Sequence, residues 1–134
     1  MSAKFGLTLS SEEHDPNHLL EIAQLAEESG FDFVSISDHF HPWLDDQGHS
    51  PFVWTMLGAL AERTTSLGVV VGVTCPIMRI HPAVVAQAAA TTSLLFDGRF
   101  FFGVGTGEAL NEHITGLRWP RPEIRREMLE EAVR

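Results

Sequence analysis

Short apolar runs alternate with longer stretches of helical periodicity along the whole chain. Phe5 to Leu9 predicts a strand. Asp15-Pro16 then predicts a helix start, with Asp15 as N-cap and Pro16 at the first helical position. Leu19, Leu20, Ile22, Ala23, Leu25 and Ala26 give that helix its apolar stripe, and Gly30 sits where a C-terminal cap is expected. A second strand is predicted within Phe31 to Ser37, and a polar loop follows from Asp38 to Ser50. Pro51 opens a second helix that runs to about Arg63 or Thr64. Leu67 to Thr74 is nearly all apolar and suits a strand covered on both faces. His81-Pro82 starts a third helix rich in alanine, Asp97-Gly98 marks a turn, and Arg99 to Val104 reads as a fourth strand. A glycine-rich loop and a last helix from Pro122 to Arg134 complete the pattern.

A helix between each pair of consecutive strands implies parallel strands joined by right-handed crossovers. Two architectures fit: an open doubly wound sheet, or part of a barrel. A (β/α)₈ barrel takes about 250 residues, so 134 residues make one domain, residues 1–134, equivalent to roughly its N-terminal half. The final helix carries no cap signal, which leads to the expectation of a truncated chain. Four parallel strands would leave two unpaired edges, and the chain alone is then expected to self-associate or to be poorly soluble.

Composition narrows the function classes. The formal net charge of −9 disfavours nucleic acid and anionic lipid as partners. One cysteine, Cys75, excludes an intrachain disulfide and a multi-cysteine zinc site. No apolar run reaches the length of a membrane span and no signal peptide is evident, so the expectation is a cytoplasmic protein.

The unusual polar residues cluster directly after the strands. Ser10 to Glu13 follow the first, Asp38 to Trp43 the second, Thr74 to Pro76 the third, and Gly105 to Asn111 the fourth. In parallel α/β folds these loops form the binding face, so four loops should converge on one site. His39, beside Asp38 and near Trp43, is a candidate proton donor or acceptor near neutral pH. His39 and His41 would share a face in extended chain, which leaves open a divalent metal and barrel-hydrolase chemistry. Asp38 is the only adjacent carboxylate, and no metal ligand set is assigned. Gly103 to Glu112 only superficially resembles a dinucleotide fingerprint, because the third glycine falls one place early. Its glycines allow backbone N–H groups to approach a planar or anionic ligand, and Glu108 could act as an acid if burial raises its pKa. Arg79, His81 and Pro82 read as loop and helix start, and Phe100 to Phe102 as strand core. His14, His18, His49 and His113 have no evident partner.

Ser37 to Trp43, Gly48 to Phe52, Pro82 to Gln87 and Gly103 to Glu112 together resemble the luciferase-like oxidoreductase superfamily, in order and along essentially the whole chain. The likeness is closest to its coenzyme F420-dependent members of the glucose-6-phosphate dehydrogenase type. That resemblance implies a (β/α)₈ barrel, usually dimeric, that binds deazaflavin at the strand C-terminal face and moves a hydride to or from an alcohol, aldehyde or sugar phosphate. FMN and a flavin-dependent monooxygenase acting on paired donors are the alternative. It further implies that His39 is the acid/base, Trp43 a substrate wall, Glu108 a proton donor near the ring and Glu12 a second carboxylate at the histidine. Asp38 would contact the ring edge, and Thr106, Gly107 and Asn111 would hold the cofactor. A non-prolyl cis peptide backing the ring maps to Gly72-Val73. Cys75 and His41 stand where the sugar-phosphate dehydrogenases carry Thr and Gln.

Overall fold

A computed structural model describes residues 3–134. Strands β1 (Gly6–Leu9), β2 (Phe33–Ile36), β3 (Gly68–Thr74) and β4 (Phe100–Val104) form one sheet in chain order, each parallel to its neighbour. Helices α1 (Pro16–Glu28), α2 (Val53–Arg63) and α3 (Pro82–Phe96) make the crossovers. The α/β class and the parallel order are those the sequence predicts, and they match the first half of a (β/α)₈ barrel. The strands are one to three residues shorter than the stretches that predict them, and α2 starts at Val53, two residues past Pro51. The last helix, α5, spans Pro122–Ala132. The glycine-rich loop contains one turn of helix that the pattern did not predict, α4 (Ala109–Glu112), followed by a 3₁₀ turn at His113–Thr115.

Local chemistry sets the helix ends. Asp15 Oδ1 accepts from the backbone N–H of Asn17 at 2.9 Å and of His18 at 3.3 Å, satisfying two donors the first turn leaves orphaned. At the other end of α1, Gly30 takes φ +83°, which lets its N–H reach Glu27 O and lets Phe31 N–H reach Ala26 O. His81 caps α3 through Nδ1, which accepts from Ala83 N–H at 3.1 Å.

Period-2 alternation decides where the core lies. Leu9, Val34, Ile36, Val69 and Val71 point to the helices and are fully enclosed with Leu19, Ala23, Leu57, Leu60 and Phe96. Each large apolar side chain so buried contributes roughly 1.5–3 kcal/mol. Phe100 and Phe102 pack against this core, but Phe101 points to the opposite sheet face and is 57% exposed. The expectation of three core phenylalanines therefore holds for two, because neighbours along a strand face opposite ways. For the same reason β3 is covered by helices on one face only, with Val70 on the other beside Phe101.

The register brings the strand C-termini together. Leu9 lies opposite Ile36, Ile36 opposite Val71, and Thr74 opposite Val104. The β3–β4 register shifts between Val71 and Thr74, where the Gly72–Val73 peptide is cis, as the resemblance implies. All four following loops thus leave from the same end of the sheet.

Candidate active site

His39 stands at the meeting point of three loops. Its Nδ1 lies 2.5 Å from Oε1 of Glu12, from the loop after β1. Its Nε2 lies 3.5 Å from Oε1 of Glu108, from the loop after β4. The Trp43 ring meets the imidazole edge-on, with centroids 5.3 Å apart. Glu12 is buried and also accepts from Ser37 Oγ at 2.8 Å, while its backbone carbonyl accepts from His49 N–H. Burial opposes ionisation of Glu12, but the hydrogen bonds from His39 and Ser37 outweigh it and carry its pKa from 4.5 to about 2. The hydrogen bond to Glu12 in turn raises the His39 pKa above 6.5, against the opposing effect of burial. With Glu12 ionised, the neutral imidazole keeps its proton on Nδ1 and presents the Nε2 lone pair toward Glu108.

Asn111 ties the same loops together. Its Oδ1 accepts from the backbone N–H of Phe40 at 2.7 Å and of His41 at 2.8 Å, and its Nδ2 donates to Glu108 Oε1 at 2.6 Å. One buried amide therefore fixes the chain just after His39 and orients the carboxylate facing it. Nothing in the sequence pattern predicts α4, yet its single turn is what brings Asn111 under the loop.

A cavity of about 220 Å³ adjoins this cluster. Asp38, His39, Gly72, Val73, Cys75, Thr106, Gly107, Glu108 and Asn111, all predicted from sequence, line it together with Gly105 and Glu112. Trp43 and Glu12 sit outside the lining and reach the cavity only through His39. The glycines also make room for neighbouring side chains. A Cβ on Gly103 or Gly105 would come within 2.9 Å of Val73, so these positions make room for the Val73 side chain, which stays part-exposed at the end of β3. Gly107, at φ +67°, packs its backbone on Cys75, where a Cβ would stand 2.5 Å from Sγ. Arg125 on α5 holds that loop from outside, donating to Gly107 O at 3.0 Å while stacking over Trp119.

Asp38 is enclosed. Thr74 Oγ1 donates to its Oδ2 at 2.7 Å and Arg79 Nη2 to its Oδ1 at 2.9 Å. Arg79, which the chain pattern assigns to a loop, has a side chain only 6% exposed and also pairs with the buried Glu112. Two acids flanking Arg79 from sequence-distant loops leave no local signature, so only the fold reveals the cluster. Cys75 is buried beside it, and burial together with the Glu112 carboxylate pushes its thiol up to about 12. Burial likewise raises Glu112 above the ordinary carboxylate range despite Arg79.

The structure does not bring His39 and His41 together as a ligand pair: the exposed His41 ring packs on Phe40, 4.9 Å between centroids, while His39 turns to Glu12 and Glu108. Among the described residues no group of three or more His, Cys, Asp or Glu is arranged to hold a metal ion. No helix among them is long and apolar enough to cross a membrane.

Known proteins resemble this chain in sequence and fold. The F420-dependent glucose-6-phosphate dehydrogenase of Microbacterium testaceum is 48% identical over 130 residues, covering 97% of this chain and 39% of the relative. That of Mycolicibacterium smegmatis is 47% identical over 133 residues, covering 98% and 40%. Among solved structures, an F420-dependent secondary alcohol dehydrogenase in complex with an F420-acetone adduct superposes with a TM-score of 0.94 at 42% identity, over 99% of this chain and 40% of that one. The chain thus spans about two fifths of the length of the relatives it matches. The luciferase-like monooxygenase family model matches residues 1–134, and the chain belongs to that family.

Proposed function

We propose that residues 1–134 form one luciferase-like domain, the N-terminal half of a (β/α)₈ barrel, and carry the proton-handling side of a coenzyme F420-dependent oxidoreductase. The observation that carries this reading is His39 held between Glu12 and Glu108 at the rim of the cavity. The donor set suits a planar deazaflavin. Val73 offers an apolar floor of β3 origin, Gly72 leaves open space above the backbone, and Thr106, Gly107 and Asn111 line the rim. Asp38 and Cys75 close the inner wall. F420, when bound, supplies the two-electron hydride acceptor.

Oxidising an alcohol removes a hydride from carbon and a proton from oxygen. In this reading His39 Nε2 takes the hydroxyl proton as the C–H bond breaks, and Glu12 stabilises the imidazolium that forms. Glu108 lies on the same side of His39, where it would serve as a proton donor toward the bound ring, and Trp43, edge-on to His39, would wall the substrate. The names of the relatives support a small alcohol or sugar phosphate as substrate and F420 as cofactor in preference to FMN. The exposed Val84, Leu94 and Leu95 of α3 support a homodimer, and a lone buried cysteine suits the cytoplasm.

Fluorescence titration of the intact protein with F420 and with FMN tests the cofactor. Binding of neither would end the proposal. His39→Ala is expected to lower kcat about 10²–10⁴-fold while leaving F420 affinity nearly intact. Equal loss of binding and turnover would remove the acid/base role.

A further inference from the structure

Arg79 joins three loops that arrive from different parts of the sequence. From the loop after β3, its Nη2 donates to Asp38 Oδ1 at 2.9 Å and to the Asp38 backbone carbonyl at 3.0 Å. Its Nε donates to Glu112 Oε1 at 3.3 Å, and its own backbone N–H to Glu112 Oε2 at 3.0 Å. All three side chains are enclosed: Arg79 is 6% exposed, Asp38 1% and Glu112 2%. The planar guanidinium suits this task, because it presents donors in fixed directions to two acceptors at once.

The two acids sit at informative places. Asp38 immediately precedes His39, and Glu112 immediately follows Asn111. Asn111 binds the N–H groups of Phe40 and His41, just after His39, and the Glu108 carboxylate that faces Nε2. His39 is therefore gripped from both sides, by Arg79 through Asp38 and by Asn111, and both grips are anchored on adjacent residues of α4. Arg79 makes no contact with the imidazole itself.

We propose that Arg79 is a positioning residue: it locks the loop after β2 to α4, and so sets the separation of His39 Nε2 from Glu108. The proposal rests on the acid/base reading of His39. Lysine keeps the charge but is a point donor, so it cannot serve Asp38 and Glu112 in the same directions. With a positioning role, small misplacement of a proton-transfer pair lowers rate before it lowers binding.

The test uses the intact protein as wild type, Arg79→Lys and Arg79→Ala. Arg79→Lys is expected to keep the far-ultraviolet dichroism and F420 affinity within about threefold, to leave KM within about threefold, and to lower kcat at least tenfold. Arg79→Ala opens a buried slot, and added guanidinium is expected to restore a large part of its lost kcat. In parallel, the His39 ring resonances are followed by nitrogen-15 NMR, which needs no turnover. They are expected to move in Arg79→Lys while histidines outside the cluster, such as His18, stay put. A kcat within twofold of wild type with unmoved His39 resonances would overturn the proposal. So would kcat, KM and F420 affinity collapsing together without guanidinium rescue, which marks a merely structural arginine. If wild type neither binds nor uses F420, the functional reading fails, and the NMR arm still decides whether Arg79 positions His39.

Discussion

Replacing Glu12 by glutamine removes one charge from the pair that defines the site and keeps the side-chain shape. The displacement of the Glu12 pKa from 4.5 to about 2 corresponds to about 3 kcal/mol of preference for the ionised form in the folded chain. The side chains are 8% and 17% exposed, so solvent screens the pair little. The same coupling raises His39 and is counted once. Glutamine can still accept from Nδ1, which retains about 1 kcal/mol of a neutral hydrogen bond. The expected loss is therefore about 2 kcal/mol, or roughly 6–10 °C in Tm for a chain of this size. The sign depends on pH from both partners. Glu12 is lowered, so its contribution is present above 4.5 and is lost as pH falls toward 2. His39 is raised, so its contribution is complete below 6.5 and is lost as pH rises through its higher folded value. The stability gap between wild type and Glu12→Gln should be widest between about pH 4.5 and 6.5 and narrow on either side. Thermal melts of both proteins at pH 3, 5.5 and 9 measure this. A gap that is flat with pH, or wider at pH 9 than at pH 5.5, would refute the charged-pair reasoning.

Two further outcomes follow from the packed loops after β3 and β4. Gly107→Ala combines a left-handed φ with a Cβ 2.5 Å from Cys75 Sγ, and is expected to lower F420 affinity at least tenfold by distorting the rim; titration with unchanged affinity would contradict the close packing. Cys75, buried and pushed to about 12, should resist a thiol-specific reagent at pH 8 in the folded chain and react at once in denaturant; rapid labelling without denaturant would mean an open loop.

Much of this protein is legible along the chain because the relevant physics is local. Period-2 and period-3.6 apolar spacing determines the order of strands and helices, and Asp15-Pro16 and Gly30 mark the ends of α1, since caps act within a few residues of the groups they satisfy. The alternation further requires parallel strands, so the loops bearing Glu12, His39, Cys75 and Glu108 must leave from one end of the sheet. Which atoms then meet depends on distances between loops, and no spacing in the sequence encodes those. Tertiary structure alone decided that Glu12 pairs with Nδ1 and leaves Nε2 to face Glu108. Alternation sets Phe101 opposite Phe100 and Phe102, but tertiary structure alone decided which of these faces meets the helices, and seated Val73 against Gly103 and Gly105. Arg79 is the sharpest case. It reads as an ordinary loop cation until the fold buries it between Asp38 and Glu112, residues 41 and 33 positions away, where desolvation makes a paired charge the only tolerable one.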